Sequence, residues 1–441
     1  MQSAMPRSSP TKLNQTRLNV AIVGGGPAGL MAADILTCDA AAPLTVTVYE
    51  RMPTPARKFL MAGRGGLNLT HSEPLPAFLA RYGARAGDLR PAIEGFPPAA
   101  LRAWSEALGE PTFVGSSGRV FPRAFKASPL LRAWLRRLAE RGVILRTRHQ
   151  WTGWDEAGSL SFATPQGQLR VTPDATLLAL GGASWPKLGA DGTWAAVLAA
   201  SGIPVVPLKP ANCGFRIAWS APLRERFAGA PLKYIALSFA GQVVRGEALV
   251  TEDGIEGGAV YALAAPLREA IAADGEAVLR LSLRPDRDGA DLARRLAQPR
   301  GKQSLSTFLR KSLHLSALEI ALLNEAALAQ GGRLAERPPA ALAALINDLP
   351  LRLIGTAPLA RAISTAGGVD FAALDATLML RERPGIFVAG EMLDWEAPTG
   401  GYLMQATLAT AVVAAQGLRR WLQSRARSSV RCPETGTARH P

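Results

Sequence analysis

The 441-residue sequence contains few cysteines and histidines, three of the first and four of the second. Cys38, Cys213 and Cys432 form no CxxC pair, which argues against a redox-active dithiol and against a structural zinc ribbon. His149 and His314 have no cysteine or carboxylate at ligand spacing, so we expect no metal site. Because a chain with so few cysteines is typical of a reducing compartment, we also expect a cytoplasmic protein.

Long hydrophobic runs are absent as well. Residues 18–36 are apolar and follow a basic stretch, as in a signal peptide, but the run Gly24-Gly25-Gly26-Pro27 would break an apolar helix. The segment 403–418 is interrupted by polar residues and is shorter than the roughly 20 residues of a membrane span. We therefore expect neither secretion nor a membrane partner.

Lysine is also scarce, since arginine supplies most of the 50 basic residues behind the formal net charge of +15. More than half of this charge falls in 1–17 and 419–441, and we predict disordered extensions at 1–17 and 425–441. Within the chain, the basic stretches 119–148 and 294–311 would suit a phosphate backbone. A solvated surface is the alternative, because we find no interleaved aromatic residues suited to stacking on bases.

A glycine cluster lies between a strand and a helix near the start of the chain. Residues 18–23 read as a buried strand, residues 27–36 as a helix and residues 44–50 as a second strand, which makes a βαβ unit. The turn between the first strand and the helix carries the spacing GxGxxG. This is the place where a nucleotide phosphate meets a helix N-terminus.

The glycines of this turn have separate roles. Gly24 permits the tight turn, Gly26 lets the backbone approach a pyrophosphate, and Gly29 lets helix and strand pack closely. Glu50 closes the second strand, where an acidic residue accepts hydrogen bonds from a ribose. Because strand, helix, glycines and carboxylate are all in register, the sequence predicts a dinucleotide site.

Three features favour FAD over NAD. The motif lies at the extreme N-terminal end, and a second glycine loop follows at 63–66. Late in the chain, a strand at 385–389 leads into Gly390-Glu391 and then into Gly400-Gly401-Tyr402 at the start of a helix. Two-segment flavoproteins use such a strand and helix at the flavin end, where a helix N-terminus stabilises negative charge on the reduced ring.

On these motifs the sequence resembles the BaiN-like family of bacterial NAD(P)/FAD-dependent flavoproteins. The matching stretches are VAIVGGGPAGLMAA, KFLMAGRGGLNLT, GRVFP, LALGGASWPKLGADG, STAGGVDF and GIFVAGEMLDWEAPTGGYLMQA, spread over residues 20–406. The resemblance implies bound FAD. The residues that it places at the cofactor are Gly24, Gly26, Pro27, Ala28, Gly29, Glu50, Arg51, Lys58, Gly63, Arg64, Gly65, Asn68, Gly181, Gly182, Gly390, Glu391, Thr399, Gly400, Gly401 and Tyr402.

The chain departs from the family at two points. Many members read GRCN where this chain has Gly65-Gly66-Leu67-Asn68, and many have Asn after GGY where this chain has Leu403. Chemistry assigned to that Arg and Cys cannot be carried over. We therefore infer a distinct subfamily with its own substrate.

The resemblance and the element pattern together predict an α/β fold. We expect a doubly wound Rossmann-like FAD-binding domain from residues 18–195 and 355–424, and an inserted mixed β-barrel and helical domain at 196–354. The substrate would bind between the two, at the carboxyl ends of the parallel strands.

We interpret the chain as an FAD-dependent oxidoreductase that acts on a small organic substrate. No second GxGxxG is present, so NAD(P)H would be a transient reductant at the flavin. Members of the family act on bile-acid intermediates, on amines with oxygen and on uridine in RNA, so two other enzymes stay open as alternatives. One is an RNA-modifying enzyme whose two basic stretches hold RNA, and the other is an amine oxidase. A flavin-binding protein without turnover is a third alternative. His71, Asp394 and Glu396 are candidate acid–base residues.

Overall fold

The structure, a computed structural model, describes residues 17–39, 44–63 and 65–430, without the side chains of 427–430. Most of the two predicted extensions lies outside this part of the chain, as does Arg64. Residues 425–430, which we assigned to the basic extension, continue the last helix.

The secondary structure falls into three consecutive parts. The first contains β1 (Leu18–Val23), α1 (Pro27–Leu36), β2 (Leu44–Glu50), α2 (Arg57–Ala62), β3 (Thr70–His71), α3 (Leu75–Ala80), α4 (Ala86–Gly95), α5 (Pro98–Glu106), β4 (Thr112–Val114), β5 (Arg119–Pro122), α6 (Ala127–Glu140), β6 (Ile144–Thr147), β7 (Gln150–Trp154), β8 (Leu160–Thr164), β9 (Gly167–Val171), β10 (Ala175–Leu178) and α7 (Trp194–Ala200). The second contains β11 (Val205–Ala211), β12 (Phe215–Arg216), α8 (Ala221–Phe227), β13 (Pro231–Phe239), β14 (Gln242–Thr251), β15 (Gly254–Glu256), α9 (Gly258–Tyr261), α10 (Ala264–Asp274), β16 (Ala277–Ser282), α11 (Gly289–Leu296), α12 (Leu305–Leu313), α13 (Ala317–Ala329), α14 (Pro339–Asn347), β17 (Leu349–Leu353) and β18 (Gly355–Thr356). The third contains β19 (Ser364–Val369), β20 (Ile386–Val388) and α15 (Tyr402–Val430).

A five-stranded parallel sheet in the order β20-β10-β1-β2-β6 forms the centre of the first and third parts. Strand β1 is apolar because it is buried in the middle of this sheet, and α1 packs against α15 beside it. The strand order reverses between β1 and β10, which opens a crevice at their carboxyl ends. The pairing of Val23 with Leu178 places Gly24 beside Ala179 at this point. This arrangement confirms the predicted α/β class.

The second part of the chain has its own core, whose members run from Cys213 to Ala362. Its seven strands form an antiparallel sheet in the order β17-β16-β13-β14-β15-β12-β18. Only Ile354 separates the two edge strands in the chain, so the sheet must curve back on itself as a barrel does. Strands β11 and β19 pair antiparallel and carry the chain to and from this unit. The domain boundaries that we drew at 196 and 354 stay predictions.

Two three-stranded sheets complete the fold. Strands β7, β8 and β9 follow β6, and β3, β5 and β4 form a sheet beside the second glycine loop. Strand β7 was not predicted. It contains Gly153, which weakens the strand signal, and its pairing with β8 is irregular between Trp151 and Gly153. Among the described residues, no helix is both long enough and apolar enough to cross a bilayer.

Candidate functional site

A cavity of about 230 Å³ lies at the carboxyl ends of β1, β2 and β10, where open α/β sheets bind their ligands. Of the residues predicted at the cofactor, those that line this cavity are Gly24, Gly26, Pro27, Ala28, Glu50, Arg51, Lys58, Gly181 and Glu391. Those that are not among its lining residues are Gly29, Gly63, Gly65, Asn68, Gly182, Gly390, Thr399, Gly400, Gly401 and Tyr402.

The three motif glycines stand in three different environments. Gly24 has φ +112°, and a Cβ on it would lie 2.2 Å from the Ala179 carbonyl oxygen. A Cβ on Gly29 would lie 1.9 Å from the Gly24 carbonyl oxygen, where α1 meets the turn. Gly26 has no other heavy atom within 4 Å of such a Cβ. The open space at Gly26, in front of the N-terminus of α1, fits a pyrophosphate.

Glu50 is held with its carboxylate at the cavity wall. The Gly25 N–H donates to Oε2 at 2.9 Å and the Met52 N–H donates to Oε1 at 2.7 Å. Burial raises the pKa of Glu50, and these two backbone hydrogen bonds act against that rise. Each carboxylate oxygen keeps a free lone pair, so Glu50 can still accept a hydrogen bond from a ribose hydroxyl.

Arg51 and Asp191 form an ion pair that also lines the cavity. Burial raises the pKa of Asp191, but hydrogen bonds from Arg51 and Thr193 outweigh it and leave the pKa below its usual value. Sequence reasoning missed Asp191, although it lies in the quoted stretch LALGGASWPKLGADG. Its partner is 140 residues earlier in the chain, so no local spacing marks the pair.

A second polar group, farther along the cavity, is centred on Lys58. Its Nζ donates to Ser184 Oγ at 2.6 Å and to Glu391 Oε2 at 2.8 Å. The Thr365 N–H donates to Glu391 Oε1 at 3.0 Å. A Cβ on Gly182 would lie 2.4 Å from Thr365 Oγ1, so Gly182 packs behind this group. The structure therefore brings Lys58 and Glu391, which the resemblance placed at the flavin end, together with Gly182, which it placed near the adenine side.

Two buried polar atoms near the site have no partner among the described residues. Asn68 Oδ1 accepts no hydrogen bond, and Trp151 Nε1 donates none. Trp151 lines the cavity, and Asn68 follows the second glycine loop. Since an unpaired buried polar group costs about 1–3 kcal/mol, Trp151 Nε1 at the cavity wall is suited to a hydrogen bond with a bound cofactor. Together with the open space at Gly26, this unpaired donor fits FAD, whereas Asn68 does not line the cavity.

The residues at the start of α15 hold the helix in place more than they face the cavity. A Cβ on Gly401 would lie 2.5 Å from the Thr70 backbone. The Tyr402 hydroxyl donates to Glu73 Oε1 at 2.6 Å, and its ring stacks on His71. The next residues of the helix, Leu403 and Met404, line the cavity instead.

Gly390 and Thr399 lie in the two segments that precede α15. A Cβ on Gly390 would lie 2.8 Å from the Ala28 Cβ, so this turn packs against α1. The Thr399 N–H donates to the Oδ1 of Asn212 at 3.1 Å. Gly63 packs against Ala127, whereas Gly65 has open space around it.

The three candidate acid–base residues all have polar partners away from the cavity. Both ring nitrogens of His71 are engaged by backbone groups, one with a carbonyl oxygen at 3.0 Å and one with an N–H at 3.1 Å. Asp394 pairs with Arg85, and Glu396 accepts two hydrogen bonds from Arg268. None of the three lines the cavity, and their catalytic roles stay predictions. The described residues include no group of three or more His, Cys, Asp or Glu placed to hold a metal ion.

Comparison with known proteins gives a family match over most of the chain. The family model described as HI0933-like protein Rossmann domain matches residues 18–417. Over 414 residues the chain is 25% identical to the 3-dehydro-bile acid delta(4,6)-reductase of Clostridium scindens, which covers 90% of this chain and 97% of that protein. Over 418 residues it is 26% identical to the ribosomal RNA dihydrouridine synthase of Escherichia coli, covering 91% and 98% of the two chains.

Solved structures also resemble this one. A 3-ketosteroid-delta4-(5alpha)-dehydrogenase from Rhodococcus jostii aligns with 94% of this chain and 99% of its own, at 16% identity and a TM-score of 0.46. The quinol fumarate reductase of E. coli aligns with 94% of this chain and 73% of its own, at 15% identity and a TM-score of 0.48.

Proposed function

The chain belongs to the HI0933-like family and is an FAD-dependent oxidoreductase, and we propose that it reduces a small organic substrate with electrons from NAD(P)H. The observation that carries the proposal is the cavity at the strand ends, which extends from Glu50 to the Lys58–Glu391 pair. One relative is named a reductase, which supports reduction as the direction of the reaction.

Bound FAD would supply a ring that takes up a hydride and passes it on. The free N–H groups at the start of α1, beside Gly26, would bind the pyrophosphate, and Glu50 would bind a ribose hydroxyl. Lys58 and the first turn of α15 would lie at the other end of the cofactor. There Leu403, Met404 and Trp395 would exclude water from the cavity.

The reductant would have to reach the flavin from outside, because the sequence has a single GxGxxG and the cavity beside it is assigned to FAD. NAD(P)H would then bind transiently, transfer its hydride and leave before the substrate enters. This proposal treats the enzyme as cytoplasmic, which stays a prediction.

The substrate class is not settled by the relatives, whose names refer to a bile acid and to ribosomal RNA. The second glycine loop of this chain also has its own packing. Leu67, at the position of the family's Cys, is 1% exposed. A Cβ on Gly66, at the position of the family's Arg, would lie 2.5 Å from the Phe125 ring, so a side chain there would displace this ring from its present place. The interior of the loop therefore differs from that of GRCN-containing members, which supports a substrate of its own.

Anaerobic flavin reduction tests the proposal. The purified protein should be yellow, and NADH or NADPH should bleach its absorbance. A conjugated enone or a similar acceptor should then restore the absorbance faster than dissolved oxygen does. Reduction by dithionite but by neither nicotinamide nucleotide would overturn the NAD(P)H assignment. Bleaching by an amine, followed by rapid reoxidation with oxygen, would favour the amine oxidase instead.

A further inference from the structure

Three phenylalanines form an exposed aromatic group on the sheet beside the second glycine loop. The ring centroids of Phe113, Phe121 and Phe125 lie 5.0 to 6.4 Å apart, with interplanar angles of 23° to 36°. Phe113 is 39% exposed and Phe125 is 44% exposed. Contiguous exposed apolar surface of this kind marks a site of interaction with a ligand or partner.

The backbone fixes Phe125 in this position at a conformational cost. Its φ is +60°, in the left-handed region that bulky residues seldom adopt. Its N–H donates to the Pro122 carbonyl oxygen at 2.8 Å, and its own carbonyl accepts from the Leu67 N–H at 2.9 Å. The ring lies directly over Gly66. A strained aromatic held against a loop at the flavin end is typical of a functional position.

Three basic residues lie next to two of the phenylalanines in the chain. Arg119, Arg123 and Lys126 are exposed, and none of them forms an ion pair within the described part of the chain. Farther along the same basic stretch, Arg137 and Arg141 share Asp34, which offsets one of their two charges. Four other exposed arginines of this stretch also form no ion pair among the described residues, so the end near the phenylalanines is distinguished by having unpaired cations and exposed rings together; the four are Arg132, Arg136, Arg146 and Arg148.

The second basic stretch, 294–311, is different. Arg294 and Arg295 both pair with Asp291, which neutralises part of its charge. Arg310 and Lys311 are exposed on α12, but the aromatic residue of that helix, Phe308, is buried. This stretch offers charge without a stacking surface.

We propose that the aromatic–cationic surface, defined as Phe113, Phe121, Phe125, Arg119, Arg123 and Lys126, binds a single-stranded nucleic acid. The rings stack on bases and the cations bind phosphates, the combination by which proteins hold single strands. An apolar small molecule or a second copy of the chain would account for the rings but not for three unpaired cations. The inference goes beyond the reduction of a small substrate, because it assigns a macromolecular partner to a face outside the cofactor cavity.

The test measures fluorescence anisotropy with the full-length, FAD-loaded protein and a labelled 12-nucleotide RNA of mixed sequence, with the matching DNA in parallel. Phe125→Gly removes the ring and also relieves the positive φ, and Phe113→Ala on the exposed strand β4 is a second, independent variant. Each should weaken binding by about tenfold or more, the effect of losing one stacked base. Retention of FAD and an unchanged circular dichroism spectrum verify that the variants are folded.

The charge variant is R123Q/K126Q, and its matched control is R310Q/K311Q, which removes the same charge from α12. The first should lower the slope of log affinity against log salt by about 1.4, because each phosphate contact to a single strand contributes about 0.7. The control should lower it by much less.

Three outcomes would overturn the proposal. The wild-type protein could fail to bind either oligonucleotide at low salt. The aromatic and charge variants could bind as the wild type does, which would assign binding to another part of the chain. Phe125→Gly could instead abolish self-association in sedimentation velocity without changing oligonucleotide affinity, which would make the occupant a second copy. NAD(P)H reduction of the same samples reports on the proposed function separately, since none of these residues lines the cofactor cavity.

Discussion

Arg268 and Glu396 form a two-point ion pair that joins α10 of the second core to the loop before α15. The distances are 2.9 Å from Nη1 to Oε2 and 2.7 Å from Nη2 to Oε1. The Arg268 side chain is only 7% exposed and also donates to the Pro210 carbonyl oxygen at 3.0 Å. Burial alone would lower the pKa of Arg268, but Glu396 raises it well above its usual value. Glu396 therefore serves as the counterion of a buried guanidinium.

Removing Glu396 should destabilise the protein more than removing an ordinary surface carboxylate. E396Q leaves the buried Arg268 with the exposed Glu269 as its one acidic partner among the described residues. We expect a loss of about 2 kcal/mol in the free energy of unfolding, somewhat below the range for fully buried pairs because Glu396 is partly exposed. The control is D348N, which breaks the exposed pair with Arg280 and should cost less than about 1 kcal/mol. Urea denaturation monitored by tryptophan fluorescence measures both. Equal losses for the two variants would mean that the Arg268–Glu396 pair contributes no more than a surface pair.

The motif glycines should separate folding from cofactor binding. Ala at Gly24 or Gly29 would collide with backbone oxygens, so those variants should unfold or express poorly. A Cβ at Gly26 has no protein atom within 4 Å, so Gly26→Val should fold, but its side chain would occupy the space assigned to the pyrophosphate and abolish FAD retention.

The readouts for this series are the FAD-to-protein ratio and the unfolding free energy of the apoprotein. Gly87→Ala in α4 is the matched control, because no atom lies within 4 Å of its Cβ either and it is far in sequence from the motif. It should keep FAD and gain up to about 1 kcal/mol from helix propensity. Full FAD retention by Gly26→Val would contradict the pyrophosphate assignment.

Glu50 should make the stability of the apoprotein depend on pH with a defined sign. Because burial raises its pKa in the folded state, the folded protein holds this proton more tightly than the unfolded chain does. The contribution of the Glu50 proton to the free energy of unfolding is fully present below the pKa of Glu50 in the unfolded chain. It is lost as the pH rises through the pKa of Glu50 in the folded protein. The unfolding free energy of the wild type should therefore fall relative to that of E50Q as the pH rises above about 4.3, the ordinary pKa of a glutamate. Urea titrations of both apoproteins across this range measure the difference, and a rise relative to E50Q would show that the pKa is lowered instead.

The same substitution should weaken FAD binding. An ionised acceptor of a ribose hydroxyl contributes about 1.5–3 kcal/mol, so E50Q should lose about tenfold or more in FAD affinity at neutral pH. Quenching of flavin fluorescence on titration into apoprotein gives this value. An unchanged affinity would place the ribose elsewhere.

Local spacing was sufficient for part of the site. Gly24, Gly26, Gly29 and Glu50 lie within one βαβ unit, where the chain direction and the period of two along a strand determine which groups meet. The contacts of Asp191, Asn212 and Arg268 join segments more than a hundred residues apart, and a single sequence contains no record of such pairs.

Side-chain direction at the edges of elements was equally hard to infer. We expected Tyr402 at the flavin, but Tyr402 is not among the cavity's lining residues and its hydroxyl donates to Glu73. One step along an α-helix turns the side chain by about 100°, so it is the next residue of α15, Leu403, that lines the cavity. We also overlooked Phe121 and Phe125 among the cations of 119–148. Their common face depends on the hairpin of β4 and β5 and on a positive φ, which the residue type does not indicate.

Asn212 should be a positioning residue for the loop that leads into α15. It is 4% exposed, and its Nδ2 donates to Ser364 Oγ at 2.8 Å and to the Ala397 carbonyl oxygen at 2.7 Å. Its Oδ1 accepts from the Thr399 N–H, and its φ of +49° is one that asparagine tolerates better than alanine does.

N212A should therefore lower the free energy of unfolding by about 2–4 kcal/mol, from unpaired buried groups and from backbone strain together. N212G loses the same hydrogen bonds without the strain and should be more stable than N212A by about 1 kcal/mol. Urea denaturation of the two variants measures this difference, and FAD retention reports whether the loop still positions α15. Equal stabilities would show that the left-handed backbone at Asn212 stores no strain.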